Sequence, residues 1–163
     1  MKAGHMAEFR TVTPEEAAQS FPALLEEDLL VPLLVTGGSM VPFLRHRRDV
    51  VYIRGTRYQS PRVGDVILFC REGGHALVLH RVLRRDAGGL VQVGGDGQTW
   101  TETVGLEQIL GVVTWISRDG GKAFPARRLD QRALWGLWRV LRPLRPQLLR
   151  WAAKVHKKRA SAP

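Results

Sequence analysis

Cysteine occurs once in the 163 residues, at Cys70. A single thiol excludes an internal disulfide framework and a zinc site built on cysteine pairs. At the end of the apolar run 65–70 it reads as a small buried hydrophobe. The five histidines, at positions 5, 46, 75, 80 and 156, show no ligand spacing such as HExxH, so neither a metal nor another cofactor is expected. Lysine is absent between Lys2 and Lys122. Long hydrophobic runs are missing too, and a membrane-spanning helix needs roughly 20 apolar residues. The stretch "LLVPLLV" (29–35) is short, is broken by Pro32 and follows Glu26, Glu27 and Asp28. Acids are the wrong flank for a secretory signal. These absences point to a cytoplasmic protein, at most peripheral at the inner membrane face. "MKAGHM" reads as a cloning scar over residues 1–5, with Met6 as the natural start, and is set aside.

Charge is plentiful but unevenly placed. Residues 127–159 hold 11 lysines or arginines against one acid, Asp130, while residues 1–126 carry 14 basic and 14 acidic side chains. The net charge of +10 therefore belongs to the tail. Such asymmetry suits a polyanionic partner, either membrane or nucleic acid.

Three regions follow from the patterning. Residues 1–32 read as an N-terminal helical segment: Thr13 suits an N-cap, Pro14 the first helical position, and Glu15 and Glu16 the first turn. Residues 33–126 read as a β domain, with β-branched or apolar runs at 33–36, 49–53, 65–70, 76–83, 90–93 and 109–116 separated by glycine-rich turns. Many short strands with close turns predict a mainly β fold, a small antiparallel barrel-like domain. Residues 127–163 read as a basic amphipathic tail, with Leu134, Leu137, Trp138, Leu141, Leu144, Leu148, Trp151 and Val155 at helical spacing. Pro143 and Pro146 should break it into two helices.

The stretch "VTGGSMVPFL" (35–44) sets Ser39 behind Gly37 and Gly38. A serine hydroxyl attacks only when a base takes its proton, and amides exposed at a glycine turn can hold an oxyanion. Taken alone, the same residues are an ordinary turn. His80 lies on an apolar strand face with Val78 and Val82, where either a base or a structural histidine fits. His75, five residues earlier, falls on the opposite face as a turn residue, and Asp65 reads as a structural aspartate before a strand.

The ordered series Gly37, Ser39, Met40, Pro42 and Leu44, then "VGDV" (63–66), then His80-Arg81-Val82, then "VGGDG" (93–97), then "ILGVV" (109–113), resembles the signal peptidase family and its S24/S26-type relatives. The likeness covers about residues 35–116. It implies a Ser39 nucleophile and a base at His80, as in the family's histidine branch; the missing central lysines exclude the lysine version. It places Asp96 where an aspartate orients the base, although a glycine-flanked turn aspartate is an equal reading. Another acid commonly follows in the histidine type, and the nearest here is Glu102. Gly37 stands where the family has a serine whose hydroxyl helps bind the oxyanion. Gly37, Gly38 and Met40 are then the candidate oxyanion and substrate-binding residues, with the Ser39 amide or Thr36 supplying the hole. The family's membrane anchors are missing.

The resemblance implies a serine endopeptidase that cleaves a peptide precursor or leader after small residues. A noncatalytic peptide-binding scaffold on the same fold is the alternative. For residues 127–159, an anionic membrane surface and packing on the domain are equal readings. Nucleic acid stands behind both, since no helix-turn-helix signal accompanies the charge.

Overall fold

The structure, a computed structural model, describes residues 14–71, 76–86, 88–145, 147 and 150. The expected N-cap Thr13, the start of the chain, His75, Leu148 and the residues from 151 onward lie outside them.

Helix α1 (Pro14–Glu26) begins at the proline that suits a first helical position. Eight strands follow: β1 (Val31–Leu34), β2 (Asp49–Gly55), β3 (Val66–Cys70), β4 (Leu77–Arg85), β5 (Val91–Gly94), β6 (Glu102–Val104), β7 (Ile109–Arg118) and β8 (Phe124–Pro125). Helix α2 (Leu129–Val140) comes next, and a 3-10 turn spans Arg142–Leu144. The regular helix thus ends just before Pro143, whose ring and missing amide disfavour its continuation.

All strand pairs are antiparallel, in the order β1-β2-β7-β3-β4-β5-β6, with β8 added to the far end of β7. The expectation of a mainly β, antiparallel domain holds, but the sheet does not close into a barrel. Its first and last strands, β1 and β6, each pair with a single neighbour. β6 and β8, three and two residues long, are too short for alternation to reveal.

The sheet separates two hydrophobic cores, and β3 shows why. Val66 and Leu68 enter one core, with Phe21 and Leu25 of α1, Val51 and Ile53. Ile67 and Phe69 enter the other, with Val82, Val91, Val93 and Val112. A strand covered on both faces reads as an unbroken apolar run, which is what "VILFC" is. Cys70 at its end is half-buried rather than enclosed. Among the described residues no helix is long and apolar enough to cross a membrane.

Candidate active site

Alternation along β4 sends His80 to the second core and Arg81 to the opposite face. His80 is 1% exposed. Phe69 and Trp100 wall the imidazole, with ring centroids 5.8 Å and 5.6 Å away. Nδ1 lies 2.9 Å from Oε1 of Glu102. That approach is not aligned as a hydrogen bond, and Nδ1 has no other partner among the described residues. The carboxylate therefore acts on the ring as a close charge. Glu102 is itself held by Arg71, whose Nε and Nη2 donate to it at 2.8 and 2.9 Å.

The titration of this cluster follows from burial and charge. Desolvation, the largest influence, pushes the imidazole below its ordinary value; Glu102 draws it back up, and Arg71 opposes that. Hydrogen bonds from Arg71 are the main reason that the Glu102 carboxyl sits below its usual range. The result at neutral pH is an uncharged imidazole beside an ionised carboxylate. A carboxylate next to Nδ1 favours the tautomer with the proton there and leaves the Nε2 lone pair able to accept one.

Ser39 is carried on loop 35–48, between β1 and β2. The loop is pinched at its base, where the Val35 amide donates to the Asp49 carbonyl at 2.9 Å and the Arg47 amide to the Val35 carbonyl at 2.8 Å. Buried Asp49 ties the returning arm, accepting from the Arg45 amide at 2.9 Å and from Nε of Arg48 at 2.6 Å. Val35, Met40 and Leu44 anchor the loop in the first core. Half-buried Ser39 docks on the turn after β5, its carbonyl accepting the Gly97 amide at 2.8 Å. A Cβ at Gly95 would stand 2.5 Å from that carbonyl oxygen, so the docking requires glycine there.

No protein-family model matches the chain, and no curated protein is similar to it.

The structure brings some of the expected residues together and separates others. The Ser39 loop meets the 95–97 turn, but no hydrogen bond joins Ser39 Oγ to His80 among the described residues. Asp96, 2% exposed, is held by Arg81, and its charge is the weakest of the influences that raise the His80 value. Arg81 takes both its oxygens, with Nε to Oδ1 at 2.8 Å and Nη2 to Oδ2 at 2.6 Å, and gives Nη1 to the Gly64 carbonyl at 2.7 Å. The acid beside the base is Glu102.

Only the register puts Glu102 there: Val82 pairs with Val93 and Val93 with Glu102, so the three share the face that His80 occupies. The sequence signal was no more than an acid six residues beyond Asp96. Asp65 is structural as expected, accepting the Arg62 amide and a two-point contact from Arg127.

The candidate oxyanion residues also divide. Gly37 has already committed its amide, which donates to Nδ1 of His46 at 3.0 Å. The side chain of Met40 is buried in the first core. The amides of Gly38, Ser39 and Met40 donate to no acceptor among the described residues. Among those residues no group of three or more His, Cys, Asp or Glu gathers to hold a metal.

Proposed function

We propose that the chain is a serine endopeptidase of the signal peptidase type, with Ser39 as nucleophile, His80 as general base and Glu102 as the acid that orients the base. The observation that carries this reading is the buried imidazole of His80 with the Arg71-held carboxylate of Glu102 2.9 Å from its Nδ1. A core histidine packed for volume alone needs no carboxylate at Nδ1. Nε2 of His80 takes the Ser39 proton as Oγ attacks the scissile carbonyl. The protonated ring then gives that proton to the leaving amine, and water hydrolyses the acyl-enzyme with His80 again as base. The uncommitted amides of Gly38, Ser39 and Met40 are the donors available for the oxyanion. Gly37, whose amide is bound to His46, serves the turn rather than the oxyanion.

The substrate suited to this arrangement is an extended peptide, such as a precursor or leader. Strand β1 runs directly into the Ser39 loop and, among the described residues, pairs on one side only, so its other edge can take an added strand. Small residues before the cut are what the family likeness implies. Catalysis requires the Ser39 loop to bring Oγ within hydrogen-bond reach of His80, a tightening common between free and substrate-bound enzymes.

The missing Ser39–His80 bond favours a second reading, a noncatalytic module that binds peptides along the same edge. A peptide library incubated with the purified chain separates the two. Cleavage abolished by both Ser39→Ala and His80→Ala supports the peptidase. Cleavage that survives both substitutions, or peptide binding without turnover, overturns it.

A further inference from the structure

Helix α2 has two apolar faces, and only one of them is used by the fold. The inner face is aromatic. Nε1 of Trp138 donates to the Asp96 carbonyl at 2.7 Å, and the Trp135 ring lies under the Arg81 guanidinium at 5.7 Å. These contacts fix the rotation of the helix about its axis. At 100° per residue, Leu129, Leu137 and Val140 then point away from the sheet, with Leu134 at the margin of the same arc. Their exposures are 84%, 59%, 76% and 53%, and Leu144 in the following turn is 50% exposed. Arg132 and Arg139, both exposed, lie together along one edge of that arc.

We infer that this outward face of α2 is a docking surface for a bilayer rich in anionic lipid. The occupant follows from charge and apolarity taken together. Residues 127–159 hold 11 basic side chains and one acid, while the rest of the chain is balanced. An anionic bilayer satisfies both features: leucines enter the boundary between headgroups and acyl chains while cations meet the headgroups. A nucleic acid would neutralise the arginines but leave the leucines in water. A second copy joined through α2 would bring two strongly basic tails together, and like charges oppose that contact. The inference does not depend on the Ser39 chemistry.

The full chain is sedimented with vesicles of phosphatidylcholine alone and of phosphatidylcholine mixed with phosphatidylglycerol. The expected result is binding to the mixed vesicles, weakened by salt. Leu134→Glu combined with Leu137→Glu should lower the partition by about a hundredfold, because two leucines no longer enter the boundary. The unfolding midpoint should stay unchanged, since both side chains face solvent. Absence of vesicle binding, equal binding to both compositions, or an unaffected double variant would overturn the inference. So would a marked loss of stability in that variant, because the leucines would then be covered by another segment of the chain. Concentration-dependent dimers broken by the same substitutions would assign the face to a second copy instead.

Discussion

Two carboxylates near the candidate base do different work. Asp96 is locked to Arg81, whereas Glu102 faces His80. Replacing Asp96 by alanine leaves a buried guanidinium without its counter-charge, which costs about 3–5 kcal/mol. Urea unfolding of Asp96→Ala should show that loss. Glu102→Gln should behave otherwise. Removing its charge withdraws the largest of the influences that raise the His80 value, while burial and Arg71 still lower it. For the proposed peptidase, the acid limb of kcat/KM is expected below the ordinary imidazole value of ~6.5 and should move further down in this variant, while the plateau rate falls. An acid limb that stays in place would remove Glu102 from the site.

Burial of His80 also has a consequence for stability. A folded-state value lower than the unfolded one means that the unfolded chain binds the proton first. Its neutral imidazole therefore carries no penalty above the ordinary value, and stability is lost as pH falls from there through the folded value.

At the scale of elements, the position of the Ser39 loop depends on contacts that no local pattern announces. α1 lies against β2 so closely that a Cβ on Gly55 would stand 2.0 Å from the Leu25 carbonyl oxygen. Gly55→Ala must push the helix off the sheet, and overpacking of this kind costs roughly 1–3 kcal/mol. A lower urea midpoint, with no change in the titration of His80, is the expected outcome. Elements of several turns were legible in the sequence because their periods repeat: the first-turn proline and glutamates mark α1, and the β-branched runs mark the longer strands. β6 was not legible, since three residues cannot show a period, and with it went the location of Glu102. In α2 the leucine and tryptophan spacing announced a helix, but the same spacing served two faces. Sequence alone could not say that tryptophans pack on the sheet while leucines face out.

At the scale of the whole molecule, the helical segment before residue 31 is part of the core rather than an appendage. Phe21 and Leu25 are buried with Val51 and Ile53 in the first core, which also anchors Met40 and Leu44 of the Ser39 loop. Burial of the two side chains contributes about 3–6 kcal/mol, against a typical domain stability of about 5–15 kcal/mol. A chain beginning at Val31 should therefore lose its cooperative unfolding transition, as followed by circular dichroism against urea. A sharp transition in that truncated chain would show that the sheet folds without α1.

The sequence by itself determined the composition of the molecule: strand-forming runs in the middle, helices at both ends, charge gathered in the tail, and a serine behind two glycines with a histidine on a later strand-forming run. Those properties are local, and repetition or spacing makes them readable. Tertiary structure decided that the sheet stays open, that Asp96 goes to Arg81 and Glu102 to His80, and that the Gly37 amide is already bound. It also decided which face of α2 meets the body. Each of these depends on which strands become neighbours and in what register, and pairing between residues distant along the chain leaves no period in the sequence.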